Sequence, residues 1–203
     1  MLRATLVSIF EKIWPMILIF CVVLASIRLA YLVKNNKKIV LYKEILSLGF
    51  VIYILCLFYV VTFQDVSWST SNYIPFKEMF RYNFGTKLFF KNVVGNMIMF
   101  VPYGFFVSYF LKLKKPYLIL VLTLFTSATI ETTQSIIGRV FDIDDILLNL
   151  TGGVVGFYLY LGLNNIKEHL PKLLKNSLIY NIIIILVLLG IILYLLEIIN
   201  VGV

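Results

Sequence analysis

The chain has 203 residues, of which 61% are hydrophobic and only 14% are charged. So small a polar share cannot cover so much apolar content in water, which excludes a soluble globular domain and predicts an integral membrane protein. The formal net charge of +8 does not indicate nucleic-acid binding, because the lysines are spread through short loops and form no single basic stripe.

Six apolar runs are long enough to cross a bilayer, so the sequence predicts an all-α polytopic transmembrane helical bundle. The first is expected to remain as an uncleaved helix, because a run of about 20 residues suits a span better than a signal peptide. Between the second and third spans, aromatic and polar residues alternate, which is typical of a segment lying in the membrane interface. The predicted spans are residues 13–33, 45–63, 93–111, 117–137, 146–163 and 178–199.

The lysines predict how these spans are oriented. The loops after the first, third and fifth spans hold ten lysines against two acidic residues, Glu44 and Glu168. Such an excess of positive charge is typical of cytoplasmic loops. Both termini and the loops 64–92 and 138–145 are therefore expected outside, although the loop 64–92 also carries four basic residues.

The polar chemistry is concentrated in one short stretch around the fourth and fifth spans. A carboxylate at the end of a membrane span costs about 1–3 kcal/mol unless it is paired or hydrated, so this stretch is where function is expected. Seven polar side chains fall within 19 residues: Glu131, Gln134, Arg139, Asp142, Asp144, Asp145 and Asn149.

Helical spacing places these side chains on common faces. Glu131 and Gln134 are three residues apart on the fourth span and share a face with Ser127 and Ser135. Asn92 and Asn96 begin the third span, so the third, fourth and fifth spans all bring polar groups to one membrane depth. This arrangement predicts a shared pocket. The fifth span carries a single stripe at spacings of three and four: Asp142, Asp145, Asn149, Gly152 and Gly156.

Other residues of these spans are predicted to be structural. Gly152 and Gly156 form a G-x-x-x-G pair, and Gly153 adds a third small residue, so a neighbouring helix can approach closely. Pro102 in the third span leaves the carbonyl of Ile98 without its helical donor.

No established catalytic motif accompanies the polar cluster. The patterns H-E-x-x-H and G-x-S-x-G and phosphate-binding glycine loops are absent, and neither Cys21 nor Cys56 has a histidine partner. The carboxylates fit no regular ligand loop, so no metal and no cofactor are predicted. Three purely structural interpretations stay open: a solvated ion network around Arg139, hydrogen bonds by which Glu131 and Gln134 hold neighbouring helices together, and N-terminal capping of the fifth span by Asp144 or Asp145.

The order and spacing of several motifs resemble the VanZ-like family of bacterial membrane proteins. The resemblance covers about residues 50–162, and it divides the chain into an N-terminal span with a basic loop (1–49), a family core (50–163) and a basic loop with the last span (164–203). The matching residues are Asn72 to Phe76 with Pro75, Asn96, Phe100, Pro102, Gly104, Glu131 to Gln134, Arg139, Asp142, Asp145, Asn149 to Gly153, and Gly156. Those expected to be structural are Pro75, Phe100, Pro102, Gly104, Gly152, Gly153 and Gly156.

The resemblance implies a multi-pass protein of the bacterial cytoplasmic membrane, since the family's namesake is associated with resistance to the glycopeptide teicoplanin. The corresponding hypothesis is an outer-facing pocket that binds a lipid-linked wall precursor or a lipid-tailed glycopeptide, with no nucleic-acid partner. Its ligand-binding residues are expected to be Asn96, Glu131, Gln134, Arg139, Asp142, Asp145 and Asn149.

Two alternatives remain. The first is a membrane enzyme acting on a lipid-linked substrate, with Glu131 as general acid or base and Asp142 and Asp145 as its partners. The second is a small transporter, which ranks last because the polar groups stop partway through the spans.

Overall fold

The computed structural model describes residues 2–63 and 71–201. The beginning of the predicted interfacial segment, residues 64–70 with Trp68, therefore lies outside the described part. The α-helices within it are α1 (Leu2–Lys34), α2 (Leu41–Phe63), α3 (Lys87–Phe89), α4 (Gly95–Leu111), α5 (Pro116–Ile136), α6 (Ile143–His169) and α7 (Ser177–Val201).

Five helical stretches of the described residues are long and apolar enough to cross a membrane, and α7 adds a shorter apolar helix over Ser177–Ile191. Together with the absence of any strand in the described chain, this confirms the predicted all-α polytopic bundle. The five stretches are Glu11–Lys34, Leu41–Thr62, Lys87–Leu111, Pro116–Ile136 and Ile143–His169.

Two helical stretches are longer than their apolar runs. The third begins at Lys87 because α3 leads through a π-helical turn, Phe90–Val94, directly into α4. The fifth continues to His169, since residues 164–169 contain no glycine or proline that would end a helix after the apolar run stops.

The chain forms two compact units. The first comprises Met1–Ile52 and Lys167–Val203, and the second comprises Tyr53–Ile166. In the first unit, Arg28 forms a 2.8 Å ion pair with Glu44. Many of the large apolar side chains of α1 and α7 are exposed, as expected of helices that contact lipid.

The second unit has its own apolar core. Phe100 and Tyr103 of α4 pack with Ile119 of α5 and Phe157 of α6. The Tyr53 hydroxyl donates a 2.8 Å hydrogen bond to the carbonyl of Met99, which ties the middle of α2 to the same core. This core supports the polar ends of the three helices.

Helices α4 and α6 run parallel in backbone contact. A Cβ added at Gly104 would lie 2.0 Å from the carbonyl oxygen of Gly153, and one at Gly156 would lie 2.1 Å from that of Val101. No side chain fits at such distances, so glycine is required there. The close approach sets the first turn of α4 beside the first turn of α6.

Candidate functional site

A cavity of ≈ 510 Å³ lies in the second unit, where α4, α5 and α6 bring their polar ends together. The end of α2 and parts of the segment 71–94 complete its wall. All seven residues predicted to bind ligand line it: Asn96, Glu131, Gln134, Arg139, Asp142, Asp145 and Asn149.

The turn after α5 brings Arg139 to this cavity. Gly138 has a φ of +84°, and the N–H of Arg139 donates to the carbonyl of Gln134 at 2.9 Å, which is a glycine-terminated helix end. The Arg139 guanidinium then donates one hydrogen bond to the carbonyl of Val61. Its other N–H groups have no side-chain partner among the described residues.

Glu131 and Gln134 occupy the buried face of α5 with Ser127, whereas Ser135 is exposed. The expectation that Ser135 belongs to this buried face is therefore wrong, because it lies in the last turn of α5 and is exposed. Glu131 is only 2% exposed, and one of its oxygens accepts the N–H of Asp142 at 3.0 Å. The Gln134 amide donates to the carbonyl of Val61 in α2 at 3.3 Å, so Gln134 does form a hydrogen bond between helices, whereas Glu131 bonds to the backbone that follows α5.

Helix α6 contributes an acid and an amide one turn apart. Asp145 accepts a hydrogen bond from the Asn96 amide of α4. Asn149 is 5% exposed and donates to the Ser127 hydroxyl of α5 at 2.8 Å, while its own carbonyl oxygen is buried without a partner.

The N-terminal cap of α6 is Asp142, so the interpretation that Asp144 or Asp145 caps this helix is wrong. One carboxylate oxygen accepts the N–H of Asp144 at 2.9 Å and the amide of Asn72 at 2.9 Å. The backbone of Asn72 also pairs with that of Asp142 in an isolated parallel bridge. Asp142 therefore joins the segment 71–94 to α6 at the cavity rim.

Asp144 has a role that the sequence did not reveal. Its side chain is 1% exposed and accepts three backbone N–H groups, those of Phe76, Glu78 and Met79, at 2.5, 2.7 and 3.0 Å. The carboxylate thus clamps the turn 76–79 onto the start of α6. Nothing in its position distinguished it from Asp142 and Asp145, since its partners lie more than 60 residues away.

The segment 71–94 also supplies cations that the ligand-binding prediction missed. Arg81 follows the clamped turn and pairs with Glu78 at 3.0 Å, and Lys91 lies in the π-helical turn. Both line the cavity and both are exposed. Interrupted helical geometry of this kind is frequent at functional sites, but the sequence pattern carried no sign of it.

The ion network proposed as a structural alternative for Arg139 is not formed. In the described part of the chain, Arg28 pairs with Glu44 and Arg81 pairs with Glu78, whereas Arg139 pairs with no carboxylate. Arg139 lies nearer the carbonyl of Val61 than any carboxylate, and it stays available at the cavity wall.

Asp142 makes the second unit sensitive to pH. Burial raises the pKa of its carboxyl, the hydrogen bonds from Asn72 and Asp144 oppose that rise, and the charges of Asp144 and Glu78 add to it. The folded protein therefore holds this proton at a pH where the unfolded chain has lost it.

We accordingly expect wild-type stability to decline relative to Asp142→Asn as pH rises from about 4, the ordinary pKa of aspartate, through the raised value. Asparagine keeps an oxygen for both hydrogen bonds but carries no proton to lose. Thermal unfolding of both proteins in detergent across this range measures the difference. A difference that is constant with pH, or that grows in the opposite direction, would contradict the assignment.

Comparison with known proteins places this site within a family. No curated protein and no solved structure matches the chain. The family model described as VanZ/LLP1 matches residues 50–166, which is more than half of the chain and includes every residue that lines the cavity. The chain therefore belongs to the VanZ/LLP1 family, as a multi-pass membrane protein whose matched region carries the polar cavity.

Proposed function

We propose that the protein binds the headgroup of a membrane amphiphile in this cavity, and that the ligand is a lipid-linked wall precursor or a lipid-tailed glycopeptide such as teicoplanin. Binding would lower the antibiotic's access to its target. The family membership and the loop charges support a cavity on the outer face of the cytoplasmic membrane, where such molecules lie.

One observation supports an amphiphile as the ligand. Beside the polar cavity lies a mainly apolar groove of ≈ 440 Å³, which is lined in part by Phe80, Asn83, Phe84 and Phe89. The two share Met79, Tyr82 and Val93 as a common wall. A polar chamber joined to an apolar groove suits a molecule with a polar head and a hydrocarbon tail.

The size and charge of the cavity support a headgroup. Its ≈ 510 Å³ lies within the range of about 300–1,000 Å³ that small-molecule sites occupy. Arg139 has free N–H groups at the wall, and a guanidinium binds phosphate or carboxylate through paired hydrogen bonds. Amide and carboxylate groups around it suit sugar hydroxyls or peptide amides.

Arg139→Ala and Glu131→Ala are expected to abolish resistance to teicoplanin in a sensitive bacterium that expresses the protein, because each loses a charge-assisted contact worth about tenfold or more in affinity. The minimum inhibitory concentration is measured at matched protein abundance. Arg28→Ala serves as the control, since it removes an arginine that does not line the cavity. Resistance that persists in both cavity variants at normal abundance would count against the proposal.

A second candidate is an enzyme acting on a lipid-linked substrate. The observation that favours it is that Glu131 and Asp145 each make a single protein hydrogen bond and so keep one oxygen free for proton transfer. Asp142 is less suited, because it caps α6. A modified lipid carrier that accumulates with the wild-type protein, but not with Glu131→Gln, would favour the enzyme over simple binding.

A further inference from the structure

We infer that the floor of the cavity binds a primary ammonium group, so that the amphiphile carries both this ammonium and an anionic group. The inference rests on the proposed function and names the chemical class of its ligand. Three acceptor groups support the inference of an ammonium site: the carboxylates of Glu131 and Asp145 and the side-chain carbonyl of Asn149.

Helices α5 and α6 set these groups in two facing layers. The helices are antiparallel, joined by the short turn 137–142. In the deeper layer, Asn149 contacts Ser127 at 2.8 Å. Asp145 lies four residues before Asn149, and Glu131 lies four residues after Ser127. Both are therefore on the same helix faces as the deeper pair, one turn or about 6 Å closer to the cavity mouth.

Each of the three groups has acceptor capacity to spare. Glu131 accepts one hydrogen bond, from the N–H of Asp142, and Asp145 accepts one, from Asn96. The carbonyl oxygen of Asn149 is buried and accepts none among the described residues. A buried acceptor left without a donor is destabilising, so the floor is deficient in donors and in positive charge.

The cations of the cavity do not meet this need. Arg81 pairs with Glu78 at the exposed rim, Lys91 is exposed, and Arg139 bonds to the carbonyl of Val61. No ion pair within the described residues reaches Glu131 or Asp145. A cationic group of the ligand would form the ion pairs that these two carboxylates lack within the protein.

A primary ammonium fits the three acceptors better than other groups. It offers three N–H donors and one positive charge, whereas a hydroxyl offers one donor and a trimethylammonium offers none. A calcium ion takes six to eight oxygen ligands. No three acidic, histidine or cysteine side chains of the described chain come together to hold a metal.

The distribution of charge orients the bound molecule. At the floor, Glu131 and Asn149 are buried, 2% and 5% exposed, and Asp145 is half-buried, whereas the basic groups Arg81 and Lys91 are exposed at the rim. A headgroup with its ammonium at the floor and its phosphate or carboxylate toward the rim matches this order. Phosphoethanolamine lipids and glycopeptides with a free amine both have that chemistry.

The test uses the purified full-length protein in detergent and two sets of probes. The first is dioctanoyl phosphatidylethanolamine with its mono-, di- and trimethylated forms, in which the phosphate and the tails stay constant while N–H donors are lost. The second is teicoplanin and the same compound acetylated on its amine. Native mass spectrometry and thermal stabilisation report binding.

We expect the unmethylated lipid to bind about tenfold or more tightly than the trimethylated one, or the amine form of teicoplanin to exceed its acetylated form by a similar factor. The double variant Glu131→Gln with Asp145→Asn should lose that preference. Both replacements keep an oxygen for the hydrogen bonds that Asp142 and Asn96 donate, so the fold is retained. Glu44→Gln, outside the cavity, should keep the preference.

Equal binding within both probe pairs by the wild-type protein would overturn the inference, as would a preference that survives in the double variant. The first measurement needs no variant, so misfolding cannot obscure it. If all lipids bind equally and Arg139→Ala weakens the binding of them all, the proposal of amphiphile binding is supported and only the inference of an ammonium site is overturned. If no probe binds, both proposals fail; a preference for one probe pair identifies the source of the amine.

Discussion

Asp144→Asn is expected to lower the free energy of unfolding by about 2–4 kcal/mol and to release the turn 76–79 from α6. The carboxylate accepts three backbone N–H groups while almost fully buried. Asparagine replaces one of the two acceptor oxygens by an NH₂ group. A donor would then face backbone donors, and at least one buried N–H would lose its partner.

Thermal unfolding in detergent measures the loss of stability, and the labelling rate of Met79→Cys measures the release of the turn. Met79 is half-buried, and its N–H is one of the three groups that Asp144 binds. Phe76 has a φ of +67°, which is unfavourable for a side-chain-bearing residue and depends on the clamp. Labelling should therefore become faster in the variant.

Asp142→Asn is the matched control for this prediction. It makes the same chemical change two residues earlier, but both hydrogen bonds to Asp142 end on a single oxygen that asparagine retains. At neutral pH its stability should stay within about 1 kcal/mol of wild type. Equal losses in the two variants would show that the three-donor clamp does not hold the segment.

Gly104→Val is expected to cost about 3 kcal/mol or more and to separate α4 from α6. A Cβ at this position would meet the carbonyl oxygen of Gly153 at 2.0 Å, and neither backbone can yield without moving a helix. Separation would also break the hydrogen bond from Asn96 to Asp145, which closes the cavity between the same helices. The variant should lose stability and ligand binding together.

The control is Gly162→Ala on α6, where an added Cβ meets nothing within 4 Å. Alanine there should be neutral or stabilising by up to about 1 kcal/mol, because it favours the helix. Thermal midpoints and size-exclusion profiles in detergent compare the two variants. A Gly104→Val protein as stable and monodisperse as Gly162→Ala would disprove the backbone contact.

Periodicity alone was enough to place several site residues. The spacing of Asp145, Asn149, Gly152 and Gly156 puts them on one face of a helix whatever that helix packs against. The structure indeed directs Asn149 toward Ser127 and Gly156 toward α4. Their ligand-binding role remains a prediction, because helical spacing determines a face and not a ligand.

Other parts of the site depend on contacts between distant parts of the chain. The clamp on Asp144 and the bridge between Asn72 and Asp142 join residues 65 to 70 positions apart. Arg81 and Lys91 enter the cavity wall only because that clamp holds their segment in place. A periodic pattern contains no information about such pairs.

By itself the sequence determined that this is a helical membrane protein and which stretches are long and apolar enough to cross a bilayer, because burial in lipid requires long apolar helices and helix geometry repeats locally. Only the tertiary structure decided which acid clamps a turn, which caps a helix and which retains a free oxygen at the cavity. Those roles follow from hydrogen-bond partners that chain folding brings together, so identical carboxylates only one to three residues apart can differ completely in them.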